Sequence, residues 1–358
     1  MKRLPLAALV AAFFIFLLFF VSVRQAVLML VGFGMGAALA GARFGFTTGW
    51  RQLIEQRDPR GVTGQVLLLA LASLAALPLM GQFSELHAAL GPPSVSLLVG
   101  AFVFGLTMQI ADGCGSGTLY KAGLGVPLNA AILPLFALGS FLGSVHLDRW
   151  LALGQMEPVG LATAYGTQGA LALTLAGLAI ALAAARLWVG AGRTWLERRW
   201  VWGAIALAVL ATLNLLLAGQ PWGVVYGFGL WAAKLSLAAG VFDPTANAFW
   251  SQAGNAQRLT QTVLMDVTTI TSIGILGGAL WVSARQKASD AKPLTRQQWV
   301  IGLVAGFVMG YSSRLAFGCN VGAMLSGIST GSLHGWIWVP MAFAGTMVGV
   351  RVRRRYGF

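Results

Sequence analysis

The sequence predicts an all-α polytopic membrane protein of about ten transmembrane helices plus short re-entrant helices, in two pseudo-symmetric, inverted halves. Three observations predict it. Of 358 residues, 57% are apolar and only 9% charged, whereas soluble domains carry roughly 25% charged residues. Apolar runs of spanning length recur along the whole chain, with cations gathered between them. A stretch carrying each of the two cysteines is repeated in register. The composition excludes the disordered, collagenous and disulfide-rich secreted classes.

The first run, residues 4–21, follows Lys2 and Arg3. It is long, and Val21-Ser22-Val23 lacks a small-residue cleavage pattern, so it reads as a signal-anchor helix. Further runs lie near 26–42, 62–81, 95–111, 127–146, 162–187, 200–219, 222–241, 264–283, 299–312 and 333–350. The net charge of +14 would point to nucleic acid in a soluble protein. Here the cations occupy short loops, where they set topology and meet anionic lipid headgroups. Nucleic acid is therefore not an expected partner.

Counting crossings from a cytoplasmic Lys2 and Arg3 brings Arg43, Arg51, Arg57 and Arg60 inside, and later Arg186, Arg193, Arg198 and Arg199. The cation-free segment 82–94 falls outside. If every later run crossed, Arg285, Lys287, Lys292 and Arg296 would land outside, as would Arg351, Arg353, Arg354 and Arg355. Removing one crossing corrects both. The run 222–241 is interrupted by Gly223, Gly227, Gly229 and Lys234 and is the segment expected to enter and return. Both termini are then cytoplasmic.

Residues 102–119, FVFGLTMQIADGCGSGTL, match 307–324, FVMGYSSRLAFGCNVGAM, and Cys114 and Cys319 are equivalent at an offset of 319 − 114 = 205. GFGMGAAL at 32–39 also resembles GFGLWAAK at 227–234. The chain thus divides into an additional N-terminal helix (1–25), a first half (26–190) and a second half (191–358), all within one integral membrane domain. The missing crossing inverts one half relative to the other, so the two cysteines can meet near the midplane, where such repeats place substrate.

Each cysteine sits in a glycine frame: Gly113, Cys114, Gly115 and Gly117, then Gly318, Cys319, Asn320 and Gly322. Glycine at this density permits irregular backbone, which is tolerated at membrane depth only where protein buries it or water lines it. A half-helix starting there aims unpaired N–H groups at an anion, and a thiol adds a weak donor and a polarisable sulfur. Lys121, Lys234 and Arg314 are further groups able to attract an anion, with snorkelling to the membrane interface the alternative for Lys121 and Arg314. The alternatives are close helix packing for the glycines and a small-hydrophobe role for the thiols. Two cysteines with His87, His146 and His334 lack the spacing of a zinc site. No Ser-His-Asp pattern, P-loop or dinucleotide fingerprint appears, so neither a catalytic site nor a cofactor is expected.

The segment 311–336, YSSRLAFGCNVGAMLSGISTGSLHGW, together with GCGSGTLYKAGLG at 113–125 and RFGFTTGWRQ at 43–52, resembles the YeeE/YedE family of bacterial inner-membrane transporters. The resemblance covers most of the chain from about residue 30. It implies an hourglass of helices whose re-entrant elements meet at a constriction, a thiosulfate-like sulfur substrate, and a small cytoplasmic sulfur carrier of the TusA type as partner. It also implies that Cys114 and Cys319 pass the anion by S–H contacts. The family's third cysteine falls in RFGF, where this chain has Gly45. The expectation is uptake of a small sulfur oxyanion, most simply thiosulfate. The alternatives are another sulfur or selenium species, or a membrane thiol enzyme passing sulfur to a carrier.

Overall fold

The computed structural model describes residues 3–284 and 293–358, so the expected inside position of Lys2, Arg285, Lys287 and Lys292 concerns residues outside those described. In chain order the α-helices are α1 (Arg3–Phe20), α2 (Val23–Gly41), α3 (Phe46–Gln56), α4 (Arg60–Gln82) and α5 (Val95–Ile110). There follow α6 (Gly115–Gly123), α7 (Pro127–Val145), α8 (Leu147–Leu151), α9 (Leu161–Val189) and α10 (Arg198–Ala218). The last are α11 (Val225–Ala238), α12 (Ala253–Thr260), α13 (Val267–Ser283), α14 (Arg296–Leu315) and α15 (Leu333–Arg355). A π-helical segment, Asn320–Gly327, lies between α14 and α15. The protein is an all-α, multi-pass membrane protein; among the described residues nine helical stretches have spanning length and composition, and the shorter α13 is also apolar.

Loop contacts sort the two ends. At one end Arg60 pairs with Glu197 at 3.1 Å, Arg354 with Glu55 at 2.7 Å, and Arg353 donates to the Gln109 carbonyl at 2.9 Å. Arg3 reaches the Trp281 carbonyl at 3.3 Å, close to the C-terminus of α13. At the other end the amide of His87 meets the Gly219 carbonyl, that of Ala89 meets the Thr330 hydroxyl, and the Leu333 amide meets the Val159 carbonyl. The described basic loops and both described chain ends therefore share one end, and the cation-free 82–94 segment lies at the other. The chain enters from that second end at Gly219, starts α11 deeper, where Phe228 lies 5.3 Å from Phe136, and returns: Asn247, beyond α11, donates to the Val145 carbonyl at the close of α7. The 14 residues of α11 rise roughly 21 Å, short of a hydrocarbon core of about 30 Å.

Three long seams run between halves. α2 lies along α13, with Gly32 against Thr271 and Gly36 against Ile275. α5 lies along α15 through Gly105, Gly345 and Gly349, and α7 along α14 through Gly139, Gly143 and Gly310. At each of these glycines a Cβ would overlap a facing carbonyl oxygen. Small residues let backbones approach closely where lipid removes the hydrophobic drive for helix association.

The repeat is inverted. Ser96, at the start of α5, donates to the Leu315 carbonyl at the end of α14, so these equivalent helices run antiparallel. The seams fix the other counterparts: α7 corresponds to α15, α4 to α13, and α2 to α10, because α4 packs on α10 as α13 packs on α2. This corrects the pairing of 32–39 with 227–234. Phe33 and Gly34 belong to a full-length helix, whereas Gly227 and Phe228 open the short α11, whose counterpart between spans is α3. Gly-Phe-Gly strings suit any close helix contact, so the likeness misled.

Candidate functional site: two facing Gly-Cys turns

The repeat is exact in backbone bonding. Gly113 N–H bonds the Met108 carbonyl at 3.0 Å, and Gly318 N–H the Ser313 carbonyl at 2.9 Å. Thr118 N–H bonds the Cys114 carbonyl at 2.7 Å, and Ala323 N–H the Cys319 carbonyl at 2.8 Å. Asp112 and Phe317, equivalent residues, both take left-handed backbone, φ +53° and +56°, a conformation that disfavours side chains other than glycine's. Gly113 and Gly318 are demanded by the turn itself, since a Cβ there would stand 2.8 Å from the Thr118 nitrogen and 2.5 Å from the Ala323 nitrogen.

Cys114 is the N-cap of α6 and Cys319 the N-cap of the π-helical segment. Both are fully buried free thiols. The Val321 amide donates to Cys319 Sγ at 3.4 Å, and Cys114 Sγ lies 3.5 Å from Ser116 Oγ. The two turns face one another: a Cβ on Gly115 would sit 3.3 Å from Cys319 Sγ and 3.5 Å from the Phe136 ring. Gly117 lies behind Cys114, its Cβ position 3.5 Å from the Cys114 sulfur, and Gly322 faces open space. Asn320 is fully buried, and neither its Nδ2 nor its Oδ1 has a hydrogen-bond partner among the described residues. Together these groups offer soft sulfur, S–H and N–H donors and a buried amide between the two turns.

The predicted cations separate. Arg314, five residues before Cys319, stacks over the rings of Phe249 (4.7 Å) and Tyr226 (5.6 Å). Its Nε has no partner and no ion pair holds it among the described residues. Lys121 pairs with Asp112 at 2.6 Å at the basic end. Lys234 differs: its ammonium donates to the carbonyls of Leu259 and Gln261, closing the C-terminus of α12. That makes it a fastener of the loop ahead of α13. Sequence reasoning missed Arg51 and Arg353 beside Asp112, and the Phe136–Phe228 pair, 5.3 Å apart. Of these only Arg51 had a signal, within RFGFTTGWRQ. Gly45, the N-cap of α3, has ordinary backbone (φ −106°), and a Cβ there would meet Thr48 Oγ1 at 2.8 Å and the Tyr120 hydroxyl at 3.6 Å.

Inverted halves that each send a thiol-bearing re-entrant turn to a shared centre define a membrane transporter of the inverted-repeat kind. Comparison with known proteins agrees. A family model described as sulphur transport matches residues 41–348, and the chain belongs to that family, YeeE/YedE. It is 28% identical over 320 residues to the thiosulfate transporter TsuA of Spirochaeta thermophila, covering 86% of this chain and 93% of that protein. It is 22% identical to the TsuA of Escherichia coli over 91% and 95% of the two chains. The probable transporter YedE of Escherichia coli is 27% identical over a shorter 151-residue stretch, 41% of this chain and 36% of its own.

Proposed function

We propose that the protein imports thiosulfate, or a closely similar sulfur oxyanion, across the bacterial inner membrane through the gap between Cys114 and Cys319. The observation that carries this reading is the placement of Cys319 Sγ against Gly115, the residue next to Cys114. Two relatives along nearly the whole chain bear the name thiosulfate transporter, which supports the same substrate.

The chemistry follows from the donors. Arg314 and its aromatic neighbours draw an anion to the end opposite the basic loops. At the turns, thiols and first-turn amides replace part of its hydration with weak, unhindered contacts. A full charge at this point would trap the ion; neutral donors let it leave. The outer sulfur of thiosulfate, soft and less hydrated than oxygen, suits two polarisable thiols. The basic end faces the cytoplasm by the positive-inside rule, and a TusA-like carrier would receive the anion there.

Uptake of labelled thiosulfate into proteoliposomes holding the purified chain tests the reading. Accumulation of unchanged thiosulfate supports it; release of a chemically altered product supports the thiol-enzyme alternative. For sidedness, a cysteine introduced at Ser84 should label from outside with an impermeant reagent, and one at Arg193 should not.

A further inference from the structure

At the basic end, two residues before Cys114, the carboxylate of Asp112 meets three cations. Arg51 Nη1 is 2.8 Å from Oδ1, Lys121 Nζ 2.6 Å from Oδ2 and Arg353 Nη1 3.3 Å from Oδ1. They come from α3, α6 and α15. Their side chains are only 15–16% exposed, and that of Asp112 27%. Another acid on α3, Glu55, is engaged by Arg354 at 2.7 Å. Three cations against one carboxylate leave an excess of 3 − 1 = 2 positive charges, largely withdrawn from water. The carboxylate has about four lone-pair positions, whereas two guanidinium groups and an ammonium bring about thirteen N–H donors. Backbone carbonyls absorb few of them: Arg353 also serves the Gln109 carbonyl and Lys121 that of Asp112. Crowded, partly desolvated like charges are unfavourable without a counter-ion. A mere fastener of α3 to α6 and α15 would need no such surplus.

We propose that Arg51, Lys121 and Arg353 form a receiving station for a divalent tetrahedral oxyanion, with Asp112 as a tethered competitor for the same donors. A dianion neutralises the surplus; a monovalent anion leaves half of it. An anion coming from Cys114 draws the guanidinium groups from the carboxylate, and return of the carboxylate displaces it toward the basic end. Asp112 thus keeps the station weak enough to empty. Because Asp112 and Cys114 share one turn, the carboxylate at the centre of the station lies two residues from the thiol. The inference rests on the proposed passage of an anion between the two turns and concerns the step after the thiols.

The test measures equilibrium binding of labelled sulfate, which lacks a soft terminal sulfur, to the full-length detergent-purified protein, with chloride at equal ionic strength as the control. Arg353→Gln should weaken sulfate binding about tenfold, close to 1.4 kcal/mol, and Asp112→Asn should tighten it by a similar factor. Both changes should persist in a Cys114→Ser, Cys319→Ser background, so the station is scored whether or not the thiol path is correct. If Asp112→Asn fails to fold, Arg51→Gln joins Arg353→Gln as the second arm. Unchanged sulfate affinity in folded Arg353→Gln and Arg51→Gln protein would overturn the proposal. So would equal competition by chloride, or loss of sulfate binding in folded Asp112→Asn.

Discussion

The Cys114 turn and the Cys319 turn share a backbone and differ in almost everything attached to it. Both place a left-handed residue, a glycine and then a cysteine N-cap, with the same bonds at the same offsets. Around Cys114 stand Asp112, Gly115 and Lys121; the equivalents around Cys319 are Phe317, Asn320 and Ser326. The first turn leads to an α-helix and a charged cluster, the second to a π-helical segment beneath a lone stacked arginine. Symmetry supplies the frame in which two thiols face each other. Asymmetry gives each end its own electrostatics.

The frame is broken most severely at its shared glycine. Gly318 combines φ +148° with a Cβ position 2.5 Å from the Ala323 nitrogen, which is backbone and cannot move aside. Gly318→Ala should destabilise the fold by about 3 kcal/mol or more, read as a loss of monodisperse protein on size-exclusion chromatography and a lower melting temperature. Recovery at wild-type yield and stability would mean the turn is not held as described.

Asymmetry is sharpened at the next glycines. A methyl group on Gly115 points at Cys319 Sγ and Phe136, whereas one on Gly322 meets nothing within 4 Å. Gly115→Ala should therefore cut uptake per folded molecule about tenfold or more, and Gly322→Ala should change it less than about twofold; a barrier rise near 1.4 kcal/mol suffices for the first. Equal effects in a proteoliposome assay would remove the distinction between the two turns.

A smaller effect is expected at Gly45, where the family's third cysteine falls. The φ of −106° suits any side chain, and the tight neighbours are the Thr48 hydroxyl at 2.8 Å, which can rotate, and the Thr48 Cβ at 3.1 Å, which must give by a few tenths of an ångström. Gly45→Cys should cost less than about 1 kcal/mol of stability. It should raise thiosulfate uptake by no more than a few fold, since Tyr120 already offers its hydroxyl beside that position. A large loss of folded protein would contradict the geometry.

Much of this was legible in the sequence, for physical reasons. Cation counting between apolar runs located the non-spanning segment now seen as α11, because charge in short loops determines insertion. The 205-residue offset exposed the facing turns, because a strained left-handed turn closed by glycine tolerates little drift. The likeness of 32–39 to 227–234 failed, because Gly-Phe-Gly strings answer to close packing in general and not to one place in a repeat. The Asp112 cluster was hidden for a different reason: Arg51 and Arg353 stand 61 and 241 residues from it, and only the inverted packing brings α3, α6 and α15 together. Lys234 looked like an anion guide in an apolar run, yet it bonds two carbonyls that no periodicity marks.

The central claim, that two buried thiols from inverted turns line the substrate path, is tested most directly by cysteine-to-serine exchange at nearly constant volume. Labelled thiosulfate uptake should be measured in proteoliposomes at equal amounts of folded protein. Cys114→Ser should reduce uptake about tenfold or more, Cys319→Ser by less, since Cys114 is followed by Gly115, which carries no side chain, where Cys319 is followed by Asn320. The double variant should fall at least as far as Cys114→Ser alone. Wild-type uptake by the double variant would make both cysteines ordinary core residues and contradict the account.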